Sequence, residues 1–291
     1  MIEPVCSDSS LAADEPLIGS APLARTWLCL EQGGPWGAKA LTDSHLDRVL
    51  GARIEQATAT HGIRPALIRR PGRHADDHRR HNPMVLVAHT DPANPWLHGG
   101  RLGSPEQVLE LDLAAIAAGQ RPEQLPALTD EVLLVCTNGS RDTCCARLGR
   151  PVALAAAHAH PGRVWEVTHS SGHRFAPTTV LLPSGHLHGR LLGAADVLAA
   201  ADRGTLVLDG WRGRSTWPAQ AQVAEELVRR ASGLTGLHDL SVAADDDTWL
   251  VTAADGRRWR VRTETAVSGE RAESCGKEPK PVRRVSGQLV S

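Results

Sequence analysis

Four residues with metal-binding side chains fall in two pairs near the middle of the chain. Cys136 and Cys145 have eight residues between them, and His169 and His173 have three. Two thiolates and two imidazoles make a complete four-ligand set, so the segment that carries them has to fold around whatever they hold. A 2Fe–2S cluster normally takes four cysteines, but two histidines can replace the pair on one iron, which raises the reduction potential. Zinc accepts the same donors in tetrahedral sites. Zinc fingers, however, usually space their thiolates about two to four residues apart, and the wider loop here suits a larger object than one ion. The residues therefore favour the cluster, with a Cys2His2 zinc site or labile cluster that holds the fold or senses redox state as the alternative.

The local pattern places these donors at one edge of an α/β unit. Residues 131–135 form a short apolar, β-branched run that reads as a buried strand ending at Cys136. A polar loop with an Asn138-Gly139 turn follows, and Cys145 opens a helix expected to break at Gly149-Arg150-Pro151 and resume to His158. Residues 163–168 read as a second strand with His169 and His173 in the loop at its end. Both pairs thus lie just past the carboxyl ends of strands, the usual edge for sites in such sheets. Pro177 precedes a third strand, 178–182, then a fourth, 186–191, and a helix, 194–202. This order resembles a thioredoxin fold whose middle helix is reduced to a loop, with a proline that is commonly cis.

The first half repeats the plan. A strand at 27–31, a helix at 44–61, a strand at 65–69, Pro83 and a strand at 84–88 lead into the passage 96–103 and a helix at 105–118. That passage parallels 187–193 with one gap. The expected fold is α/β: two thioredoxin-like lobes, residues 1–127 (degenerate, with no paired ligands) and 128–204, followed by a small α+β C-terminal region, 205–291. The last region reads as an amphipathic helix at 217–230, a hairpin turning at Asp255-Gly256, and a loose polar tail of about 20 residues.

Bulk properties exclude several classes. With 32 basic and 33 acidic residues the formal net charge is −1, so nothing electrostatic points to nucleic acid or an anionic membrane. The first residues lack the blocks of a signal peptide, and no apolar run reaches the ~18 residues of a membrane span. Six cysteines in 291 residues are too sparse for a disulfide scaffold and fit a reducing cytoplasm, the expected location.

Residues 135–146, with His169 to Ala176, carry a more specific likeness. Cys-x8-Cys followed by a His-x-Gly-Gly-His-type motif resembles the sucrase/ferredoxin-like family of thioredoxin-like 2Fe–2S ferredoxins. Further matching segments are Trp36-Gly37, 68–73, 211–215 and Cys275-Gly276, so the likeness covers at least residues 19–218. It implies a 2Fe–2S cluster on Cys136, Cys145, His169 and His173. One departure is Ser171, which stands where the family has the first of its two glycines; if that glycine needs a positive φ, serine is strained there.

The function expected is one-electron transfer, coupled to protons at His169 and His173, as a carrier or reductase component without its own substrate pocket. Its partner would be a redox protein such as a flavoprotein reductase. The potential expected of a two-histidine cluster is about −150 to +300 mV. Other candidates have plainer readings. Cys144 and Cys29 read as structural, Cys6 and Cys275 as residues of poorly ordered segments, and residues 73–81 as a solvated loop. His158 and His160 read as surface residues and Asp245-Asp246-Asp247 as an acidic turn, while Arg212 and Arg214 are candidates for guiding an anionic partner.

Overall fold

The computed structural model describes residues 5–72 and 82–290, so the loop read at 73–81 lies outside the described residues. In chain order the elements are α1 (Cys6–Ala12), β1 (Thr26–Glu31), α2 (Arg48–Thr60), β2 (Ile63–Arg69), β3 (Met84–His89), β4 (Trp96–Arg101), α3 (Leu113–Ala117), β5 (Ala127–Leu128), β6 (Val132–Cys136), α4 (Thr143–Ala159), β7 (Val164–Val167), β8 (Thr179–Leu182), β9 (His186–His188), α5 (Ala194–Ala201), β10 (Trp211–Arg214), α6 (Ala219–Ser232), β11 (Leu240–Asp245), β12 (Thr248–Ala253), β13 (Arg258–Arg271) and β14 (Lys280–Leu289). None of the described helices is long and apolar enough to cross a membrane.

Ten strands form one sheet in the order β10-β9-β8-β6-β7-β2-β1-β3-β4-β5, and β11 to β14 form a second, antiparallel sheet. In the first half β1 pairs parallel with β2 and antiparallel with β3, which pairs with β4. In the second half β6 pairs parallel with β7 and antiparallel with β8, which pairs with β9. The halves therefore share one strand order, as the sequence parallel implies. They also join edge to edge: β2 meets β7 antiparallel through Ile68↔Val167 and Arg69↔Glu166. At this seam the Arg69 Nε donates to Glu166 Oε2 at 2.7 Å with both side chains only 4% exposed, and Thr137 Oγ1 donates to the same oxygen at 2.9 Å.

Strand alternation sorts the core. Leu28, Leu30, Leu67, Val85 and Val87 pack toward Leu50 and Ile54 of α2, whereas Trp27, Cys29, Ala66, Ile68 and Leu86 join Leu134, Trp165, Val167 and Val180 in a cluster that runs across both halves. Helices α4 and α5 cover the other face of the second half through Val152, Ala153, Val197 and Leu198. Cys29, fully buried in the shared core, has its thiol pushed up to about 12 by burial.

Three expectations need correction. Helix α4 runs unbroken through Gly149 and Pro151; a Cβ on Gly149 would lie 2.2 Å from the Cys136 carbonyl oxygen, so that glycine marks a close contact with β6 rather than a helix end. The stretch 105–118 is a 3-10 turn, Pro105–Glu110, followed by the short α3. The polar tail contains β14, whose register against β13 runs from Arg271↔Lys280 to Val261↔Leu289. Pro281 is tolerated there because β14 is an edge strand. The Ala176–Pro177 peptide is cis, as expected.

Candidate metal centre

Cys136 is the last residue of β6, with its amide donating to Thr178 O at 3.0 Å. The loop to Cys145 closes on two short polar side chains. Asn138 Oδ1 accepts from the Ser140 and Arg141 amides, and Asp142 caps α4 by accepting from the Cys144 amide at 2.9 Å. This is a favoured use of Asp at a helix start, and it sets Cys145 in the first turn of α4. His169 follows β7, and His173 opens a 3-10 turn, His173–Phe175. The first half also fixes the histidine loop: the Leu67 amide donates to Thr168 Oγ1 and the Thr168 amide to Leu67 O.

Pairwise contacts link the four sequence-derived donors. Cys145 Sγ lies 3.3 Å from His173 Nδ1, and the His169 and His173 rings stack with centroids 4.7 Å apart. Cys136 is lowered to about 7, first because the Cys145 thiol donates to it, against the cost of burial, with the Ser170 and Asn138 amides assisting. The same hydrogen bond to Cys136 pushes Cys145 far up. Burial, with His173 and Arg64 adding to it, lowers His169 to about 3, and burial also lowers His173. Both imidazoles are thus neutral at physiological pH and keep a lone pair for a metal. His169 Nδ1 is buried with no hydrogen-bond partner among the described residues, a costly condition that a coordinate bond relieves.

Beneath the loop lies Arg212, fully buried. Its Nη1 donates to Ser171 O at 2.9 Å, its Nη2 to Ser20 O at 2.5 Å and its Nε to Ser20 Oγ at 3.0 Å. Burial, with Arg174 and Arg64 adding to it, lowers the guanidinium to about 9. Arg214 is equally buried, so neither arginine faces a partner and both are scaffold groups. Ser171 and Gly172 have φ of 68° and 72°, so the serine does occupy a left-handed position. Left-handed backbone costs an L-residue roughly 1–2 kcal/mol, while glycine gives back about 0.5–1 kcal/mol in entropy. Ser171→Gly is therefore expected to raise stability by about 0.5–1 kcal/mol, read from urea midpoints. Gly172→Ala is expected to lower it by about 1–3 kcal/mol, since its Cβ would meet Arg212 Nη2 at 2.3 Å. A loss in the first variant would show that the serine is not strained.

The sequence did not reveal a second cluster. Cys6, Asp142, Cys144 and Cys275 bring their donor atoms within 4.8 Å of one another. Cys144 points away from Cys145 into this group, and Cys6 and Cys275, expected in loose segments, are buried and half-buried. The pair Cys144-Cys145 at a capped helix start was the available signal, but partners more than 130 residues away are not readable from spacing.

His169 also lines a cleft of about 300 Å³ with Lys39, Leu41, Glu55, Arg64 and Arg141. No curated protein and no solved structure matches the chain. The model of the sucrase/ferredoxin-like family matches residues 17–217, more than half of the 291 residues, and the chain belongs to that family.

Proposed function

We propose that the protein is an electron carrier or reductase component with a 2Fe–2S cluster on Cys136, Cys145, His169 and His173, set in the second of two thioredoxin-like lobes. The orphaned His169 Nδ1, buried beside a thiol–imidazole pair, carries this reading. The donor set fits the group: two sulfurs and two neutral imidazoles are the ligands of a two-histidine cluster, which supplies reversible one-electron chemistry. The chain's own residues do the rest. The Asn138 and Ser170 amides favour the thiolate at Cys136, Arg212 holds the histidine loop, and the surrounding core keeps water from Cys136 and Cys145, each 1% exposed. An imidazole that binds through one nitrogen keeps a titratable proton on the other, which gives proton coupling a place at His169 and His173.

The cleft beside His169 is the natural exit to a redox partner such as a flavoprotein reductase. Lys39, Arg64 and Arg141 outnumber Glu55 on its lining and favour an acidic partner surface. Anaerobic, iron-replete purification should give a red-brown protein with about two irons and two sulfides per chain. A colourless protein without iron would overturn the reading in favour of a structural or sensing Cys2His2 zinc site.

A further inference from the structure

We propose that Cys6, Asp142, Cys144 and Cys275 hold one structural zinc ion, separate from the Cys136, Cys145, His169 and His173 set. The sulfurs of Cys144 and Cys275 lie 3.3 Å apart, those of Cys6 and Cys275 3.5 Å, and those of Cys6 and Cys144 3.6 Å. Asp142 places carboxylate oxygens 3.5 Å from both Cys6 Sγ and Cys275 Sγ. A tetrahedral zinc bound at about 2.3 Å to sulfur and about 2.0 Å to oxygen would put the sulfurs about 3.8 Å apart and sulfur about 3.5 Å from oxygen. The observed spacings need only a small expansion to admit such an ion.

The chemistry of the surroundings agrees. Three soft thiolates and one carboxylate are zinc ligands, and four protein donors close the coordination, which is the mark of a structural site. Groups that are not ligands already point at the ligands. The Cys6 amide donates to Cys275 Sγ at 3.4 Å and the Ser7 hydroxyl to Cys144 Sγ at 3.3 Å. Asp142 accepts from the Ser274 hydroxyl and from the Cys275 and Cys144 amides. Such outer contacts orient ligands and spread their negative charge. Burial, with the Asp142 charge adding to it, pushes the Cys6 and Cys275 thiols up; zinc entry displaces the thiol protons to solvent, with no change of oxidation state. The ion would clamp the start of α1 and the turn between β13 and β14 onto α4, one residue from Cys145.

Metal analysis of the full chain, purified with its iron, should find about one zinc per chain. Cys6→Ser and Cys275→Ser should each lose that zinc and keep iron and visible absorption, whereas Cys136→Ala should keep the zinc. Zinc that survives both serine changes, or leaves with Cys136, would overturn the assignment. So would iron on these four residues, or a disulfide between two of the three thiols in mass spectra of unreduced protein. A second measurement needs no variant: a strong chelator should speed tryptic cleavage after Lys277, beside Cys275, and added zinc should restore protection. Equal cleavage in both conditions also overturns the clamp. These readouts follow zinc and Lys277, so they can fail or succeed whether or not Cys136, Cys145, His169 and His173 carry a chromophore.

Discussion

Cys136→Ala is expected to give a colourless protein whose iron falls from about two to below about 0.2 per chain. The residue ends β6, is 1% exposed and registers with Val167 of β7, one strand from the seam, where the neighbouring Thr137 hydroxyl reaches Glu166. No other described thiol can take its place: Cys144 points into the Cys6 group, and Cys29 lies in β1 within the shared core. Because ligation energy here is partly folding energy, the same change should lower the urea midpoint of the iron-loaded protein. Cys29→Ala is the control. It removes a buried thiol of the first half, so it should lower stability modestly and leave iron unchanged. Iron retained in Cys136→Ala, or lost in Cys29→Ala, would show that the thiolate set is wrong.

Much of the site is local, and that part was legible. The run Val132–Cys136 has the β-branched composition of a buried strand, Asn138 and Asp142 are turn and cap residues, and His169 and His173 share one loop. What periodicity cannot encode is which edge meets which. The seam between β2 and β7 rests on two register pairs and a buried Arg69–Glu166 bond, and neither arginine nor glutamate advertises burial in a sequence. The same limit hid Arg212, whose role depends on Ser20, 192 residues away. Proline and charge misled at the C-terminus: Pro281 and the basic residues of β14 look like tail, yet an edge strand tolerates both. Cys6 and Cys275 were misplaced for a related reason, since their flanks are polar and their contacts are with the start of α4.

Glu225→Gln is expected to cost about 3–5 kcal/mol at neutral pH, as removal of one partner from a buried ion pair does. Glu225 Oε1 accepts from Arg214 Nη2 at 3.3 Å and from Arg229 Nη2 at 2.9 Å, and all three side chains are fully buried. The arginines also donate to carbonyls of Ser184, Leu234, Gly236 and Leu237, so this one carboxylate anchors α6 to β10 and to the turn before β11. Glutamine keeps the shape and an acceptor oxygen but leaves two guanidinium charges without a buried anion. Burial raises the Glu225 carboxyl, but Arg214 and Arg229 more than offset this, and its pKa lies below the ordinary value of 4.5. A carboxyl with a depressed folded pKa stabilises above its unfolded pKa, and that stability is lost as pH falls through the folded value. The gap between wild type and variant in urea denaturation should therefore be widest near pH 7 and narrow in acid. Glu226, the next residue, gives the contrast: its partner Arg230 is 57% exposed, and Glu226→Gln should change stability by less than about 1 kcal/mol. Equal costs at the two positions would mean that the buried triad contributes no more than a surface pair, and that α6 is held in place by its apolar face on the second sheet alone.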